Sequence, residues 1–163
     1  MRFITRQLSN VFVITCLFAD AVSDEANALK LRDPAMERDV IFSFESPEAH
    51  DLDHLPLAAR RALDRSGLKL GLAAWTALPL ATRERLVALG AEEVVRRGAV
   101  MALLAETALQ EIDPRPEPAR PADVGAEPWA RLTSLGRFAL AHHARKGRQA
   151  LVRRALDVLL KGR

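Results

Sequence analysis

From Pro56 to Leu89 the apolar and polar positions fall into registers that predict two helices joined by a short extended piece. Ala59, Ala62 and Leu63 recur at spacings of three and four beside Leu52 and Leu55, while Arg60, Arg61, Asp64 and Arg65 fall largely on the other side. Pro56 suits the first helical position and Gly67 a left-handed close, so a helix is expected from Pro56 to Ser66. Leu68, Leu70 and Leu72 then alternate with Lys69 and Gly71. With no second strand offered nearby, this reads as an extended connector rather than part of a sheet. A further helix follows across Pro79, from Leu80 to Leu89, with Gly90 as its stop.

Upstream, Val40 to Glu45 is the one β-like run, with Phe42 and Phe44 on the same side of an extended chain. A lone strand cannot satisfy its backbone groups, so the run is expected to be an arm docking both phenylalanines on the helices. Downstream, Ala91 to Ile112 carries the longest helical pattern. Val94, Met101, Ala105, Ala108 and Ile112 share a face, and Glu92 and Glu93 stand four residues ahead of Arg96 and Arg97. Four prolines between Asp113 and Pro121 forbid helix, which predicts an exposed, stiffened linker over 113–127.

Trp129 then opens a pattern already seen. Trp75 is followed by Leu78, Arg83 and Leu86, and Trp129 by Leu132, Arg137 and Leu140, at the same offsets of three, eight and eleven. Two pseudo-equivalent helical hairpins packing on each other are expected, with Trp75 and Trp129 as core anchors rather than substrate platforms. Thr133 or Ser134 caps the second hairpin's helix, which runs towards Ala144. After Gly147 a last helix sets Leu151, Val152, Ala155, Leu156, Val158 and Leu159 on a wide apolar face.

Composition agrees with this helical picture. The chain has 163 residues, 49% hydrophobic content, 5% aromatic content and no tyrosine. That is enough to bury one core, from residue types that favour helices. The fold class expected is all-α: a compact bundle of about five to six short helices with an extended N-terminal arm and a Pro-rich linker, forming a single domain over 36–163. Residues 1–35 differ. Arg2 and Arg6 precede an apolar run through Ala19, and Ala19-Asp20-Ala21 has the form of a signal-peptidase site. The apolar run is too short to span a bilayer. The only cysteine, Cys16, would leave with such a leader, so no disulfide framework supports secretion. The favoured reading makes residues 1–35 an extension ahead of a true start at Met36, in a cytoplasmic protein without a membrane anchor.

Charge adds a second layer. Glu37, Asp39, Glu45, Glu48, Asp51 and Asp53 crowd the region before Pro56, while Arg145, Lys146, Arg148, Arg153, Arg154, Lys161 and Arg163 crowd the end. The two clusters are expected to complement each other. No aromatic residue is interleaved with the basic one to stack on bases, which leaves nucleic acid as the secondary reading. Candidate chemistry is sparse. His142 and His143 are adjacent and point about 100° apart on a helix, so they do not chelate one metal together. His50 and His54 are four apart, with only Asp51 and Asp53 near. Asp64 and Lys69 straddle a helix stop, where Asp64 is expected to pair with Arg60 or Arg61. No phosphate loop, nucleophile elbow or HExxH motif occurs. No catalytic, cofactor or metal residue is assigned.

Phe42-Ser43-Phe44-Glu45, Leu55-Pro56-Leu57 with Arg60, Leu63-Asp64, Gly67-Leu68-Lys69-Leu70, Trp75, Arg83 and Arg85-Leu86-Val87 together resemble the nitrate reductase-associated protein family. Trp129, Leu132-Thr133 and Arg137-Phe138-Ala139-Leu140 extend the likeness, which spans Val40 to Leu159. It implies a short helical protein of cyanobacterial type, encoded near nitrate reductase and molybdenum-cofactor synthesis genes. A cysteine that the resemblance leads one to expect is Ser66 here. The implied function is that of a non-catalytic accessory of nitrate assimilation, whose partner is nitrate reductase or a molybdenum-cofactor maturation protein. Arg60, Arg61 and Arg83 form the expected recognition face. The alternative is a nucleic-acid-binding regulator using the basic C-terminal helix.

Overall fold

A computed structural model describes residues 40–161. The expectations for residues 1–35, Met36 and Cys16 lie outside the described residues. In order, the elements are α1 (Pro47–His50), α2 (Leu57–Ser66), β1 (Leu68–Lys69), α3 (Leu72–Ala77), α4 (Leu80–Ala91), α5 (Arg97–Leu103), β2 (Gln110–Glu111), α6 (Ala126–Ala130), α7 (Ser134–Arg145) and α8 (Gln149–Lys161). The fold is mainly α. Eight helices among the described residues exceed the five to six expected because α1, α3 and α6 are only one or two turns long.

α2 is the helix on which the others pack, with α4, α5, α7 and β1 against it. Its ends follow local rules. Pro56 sits extended at the cap position, and Gly67, at φ 73°, closes the helix in the left-handed conformation. Its N-terminus is completed from outside, where the Leu57 N–H donates to Glu45 Oε2 at 2.7 Å and Glu45 Oε1 accepts the Phe42 N–H at 3.1 Å. A carboxylate here meets both unpaired amides and the positive end of the helix. To deliver it, residues 42–45 fold back, the Glu45 N–H donating to the Phe42 carbonyl at 2.8 Å. The expected extended arm is therefore a turn, with Phe42 and Phe44 stacked at 4.8 Å. Both still dock. Phe44 is buried, and Phe42 packs against both apolar clusters of the fold.

The first cluster joins α2 to α4 and α5 through Ala58, Ala62, Leu63, Trp75, Leu86, Leu89, Val100 and Leu104. The second joins Phe44 and Leu57 to Val124, Leu132, Phe138, Leu140, Val152 and Ala155. Trp75 is fully buried in the first, whereas Trp129 is half-buried at the edge of the second. The two hairpins thus share local form, a one- or two-turn helix, a break and a long helix. Their tryptophans do not meet in one core, because α2 supplies a wall to each cluster.

Gly90 lies inside α4 rather than stopping it. A Cβ there would stand 1.8 Å from the Ala58 carbonyl oxygen, so the missing side chain sets how closely α2 and α4 approach. What ends α4 is Arg61. This fully buried guanidinium donates from Nη1 to the carbonyls of Gly90 at 2.8 Å and Glu92 at 2.6 Å, and from Nη2 to Glu93 at 2.9 Å. Those carbonyls turn to the arginine instead of to later amides, and the expected helix over Ala91 to Ile112 shrinks to α5. The Glu92–Arg96 pair does form, at 2.8 Å, but in the break between helices.

The remaining correction concerns 68–127. Leu68 and Lys69 do find a partner strand, pairing antiparallel with Glu111 and Gln110. The following proline-rich segment is non-helical and largely exposed, as expected, yet it is strapped to α2 rather than free. The Ile112 N–H donates to the Gly67 carbonyl and the Arg115 N–H to the Asp64 carbonyl, both at 2.9 Å. Arg115 Nη1 pairs with Asp64 Oδ2 at 3.1 Å, and Glu117 Oε1 pairs with Arg65 at 2.9 Å and Arg61 at 3.6 Å. Val124 then plugs the second cluster.

Two glycine substitutions separate packing from propensity. Gly98 in α5 has open space around its Cα, so Gly98→Ala should raise unfolding free energy by about 0.5–1 kcal/mol. Gly90→Ala gains the same propensity but must push α2 off α4, and a net loss of at least about 2 kcal/mol is expected in urea titrations. Arg61→Lys keeps the charge but cannot reach three carbonyls at once. It should cost about 2–4 kcal/mol by the same measurement, and a loss under about 1 kcal/mol would show that the clamp is dispensable.

Candidate functional site

A cleft of about 880 Å³ opens between the turn at Ser43–Ser46, α2, α3, the end of α7 and the start of α8. Its lining is part apolar, from Phe44, Leu55, Leu57, Leu70, Trp75 and Leu151, and part polar, from Arg60, His142, His143, Arg148 and Arg154. Local rules put them there. Thr133 Oγ1 caps α7 by accepting the Gly136 N–H at 3.1 Å, and Ser134 Oγ donates to Glu93 Oε1 at 2.6 Å, tying the helix start to the turn after α4. From that start α7 runs to Arg145, which brings His142 and His143 into its last turn. Gly147, at φ 68°, reverses the chain, and the Arg148 N–H donates to the His143 carbonyl at 3.0 Å. Arg148, just ahead of α8, then precedes Leu151 and Arg154 at three-residue spacing, and all three line the cleft.

The two histidines sit in a row of rings. His143 meets the Phe44 ring edge-on at 5.9 Å and His142 at 5.7 Å, and His142 lies 6.0 Å from Phe138. Both ring nitrogens of His143 are buried without a hydrogen-bond partner. Burial pushes His142 down to about 3, helped by the Arg60, Arg145 and Lys146 charges, and lowers His143 as well. Each is therefore neutral at pH 7, with one N–H donor and one lone-pair acceptor.

The three arginines expected to share a recognition face do not share one. Arg61 is the buried clamp that ends α4. Arg83 is half-buried, and its Nη1 donates to the Leu52 carbonyl at 2.8 Å, where Trp75 Nε1 also donates at 2.8 Å. Leu52 holds a φ of 61°, rare for a branched side chain, and these two donors pin that turn. Only Arg60 lines the cleft. Arg137, in the place equivalent to Arg83, folds back on its own hairpin and donates to the Trp129 and Ala130 carbonyls.

His50 lines a smaller pocket with Asp51 and Glu84, whereas His54 lines the large cleft, so the pair is split. Among the described residues, no three His, Cys, Asp or Glu side chains gather as a metal site. Asp64 pairs with Arg115 rather than Arg60 or Arg61, and none of the ion pairs seen among the described residues joins the acidic and basic clusters. Ser66 is buried with no partner for its Oγ, an environment that a thiol would suit equally well. In the sequence Arg148 and Arg154 are two members of the terminal basic cluster, which ordinarily reads as a solvated face or, in the alternative, a nucleic-acid surface, and nothing there ties them to Arg60. Their signal was the shared spacing with Leu151.

The buried histidines set a pH dependence. Their folded values lie below the unfolded value near 6.5, so the unfolded chain binds more protons on acidification. Stability is fully present above pH ~6.5 and drains away as pH falls towards 3. Glu45, raised by burial against the pull of its two amides, works the other way just above pH 4.5. Urea midpoints should therefore fall between pH 7 and pH 5, and His142→Gln with His143→Gln should flatten the fall. An unchanged slope would contradict the histidine assignment.

No described helix is long and apolar enough to cross a membrane. Comparison with curated proteins and with solved structures returns no match. A match to the family described as conserved nitrate reductase-associated protein covers residues 41–124, about half of the chain. Its range runs from the Phe42–Glu45 turn through α2, α4, α5 and the strap to Val124, and ends before the second hairpin. The turn that caps α2, the clamp that ends α4 and the strap that closes over both all fall within it, and the chain belongs to the nitrate reductase-associated protein family.

Proposed function

We propose that this protein is a non-catalytic accessory of nitrate assimilation that works by binding, its partner being nitrate reductase or a protein that matures the molybdenum cofactor. The observation that carries this reading is the family match over residues 41–124. The fates of the charged groups support a binding role. Both Glu45 oxygens hold backbone amides, Asp64 holds Arg115, and Arg61 holds backbone carbonyls, so these groups are committed to the fold rather than poised over a reacting atom. On this reading the protein acts in the cytoplasm beside the enzyme it serves. Of the three arginines expected at the contact, Arg60 alone remains open to a partner.

Affinity capture with the tagged full chain from nitrate-grown cells should recover a reductase subunit or a cofactor-synthesis enzyme, with the yield falling when cells grow on ammonium. Recovery of neither, under conditions where the tagged chain is folded and expressed, would remove the reading.

A further inference from the structure

The committed charges contrast with those in the cleft between α2 and α8. Arg60, Arg148 and Arg154 line one concavity, and among the described residues none of their guanidinium groups makes a hydrogen bond or an ion pair within 4 Å. The one carboxylate lining the same wall, Glu45, already spends both oxygens on the Phe42 and Leu57 amides. Among the described residues, three cations therefore share a cleft without a carboxylate paired to any of them, and Arg60 is held below its ordinary value by burial that Asp64 and Glu45 offset at longer range.

His143 is 7% exposed and lines the cleft with neither ring nitrogen bonded. Both nitrogens are enclosed within the protein, so His143 contributes its ring to the cleft lining, beside Phe44, rather than a hydrogen-bonding group. Phe44, Leu57, Leu70 and Leu151 add an apolar lining to the same cleft. The volume of about 880 Å³ falls in the range of cofactor- and drug-sized sites and far exceeds what a bare inorganic oxyanion fills.

We infer that this cleft binds a small amphipathic anion, with a sulfonate-, carboxylate- or phosphate-type head held by Arg60, Arg148 and Arg154 and an apolar, ring-sized body lying against Phe44 and Leu151 beside His143. The inference stands apart from the partner reading, since either can fail without the other.

The test uses the full chain and two fluorescent probes of the same shape, 8-anilinonaphthalene-1-sulfonate and its uncharged relative N-phenyl-1-naphthylamine. The sulfonate should bind saturably at one equivalent and at least about tenfold more tightly than the uncharged probe. Arg154→Ala, on the exposed side of α8, should weaken it about tenfold with an unchanged melting midpoint. Arg60→Ala should do the same. Inorganic phosphate should compete only weakly, having a head but no body. Equal affinity for both probes, binding indifferent to Arg154→Ala, or no saturation would overturn the assignment. Displacement of the sulfonate by poly-glutamate at lower concentration than by any small aryl anion would assign the cleft to an acidic protein partner instead and equally overturn it.

Discussion

A fully buried guanidinium governs this fold. Taking Arg61 out of water has a high cost unless its donors are met, and the chain meets those of Nη1 and Nη2, though not of Nε, with the carbonyls of Gly90, Glu92 and Glu93 and the nearby carboxylate of Glu117. From that one requirement follow the end of α4, the break before α5 and the closeness of the strap to α2. The same helix places Ala58 against Gly90, so the clamp and the tight helix crossing occur together. Neither would be useful without the other: the crossing brings the carbonyls within reach, and the clamp satisfies what the crossing buries.

Around that clamp, backbone groups left over at the ends of elements are repeatedly answered by side chains from distant parts of the chain. Glu45 caps α2 from twelve residues away, Glu93 reaches Ser134 at the start of α7, and Trp75 and Arg83 converge on Leu52. Such bonds join short helices that have little propensity to stand alone. They also explain how a chain with few aromatic residues and many one- or two-turn helices holds two apolar clusters in register. In this scheme the proline-rich segment is a strap, stiff because its prolines fix φ and anchored because Arg115 and Glu117 alternate in sign to match Asp64 and Arg65.

Against this background the cleft is the exception. Arg61, Asp64 and Glu45 find partners within the chain, whereas Arg60, Arg148 and Arg154 gather at one opening with no hydrogen-bond or ion-pair partner among the described residues. The elements that form it come from far apart in sequence, a turn near residue 44, the middle of α2 and the α7–α8 reversal. The α2 portion and the reversal each obey simple local rules, a helix face and a glycine at positive φ. Their meeting does not.

Period and punctuation in the sequence determined the helices with clear caps: α2 between Pro56 and Gly67, α7 after Thr133, α8 after Gly147, and the buried role of Trp75. These rest on interactions between residues a few positions apart, which residue types alone specify. Tertiary structure decided whether Gly90 was a stop or a contact, whether Arg61 faced water or carbonyls, whether Leu68 and Lys69 had a partner strand, and which cations faced the same opening. Each of those depends on where a backbone group distant in sequence comes to lie, and a pattern of period 3.6 carries no information about the neighbour across the gap.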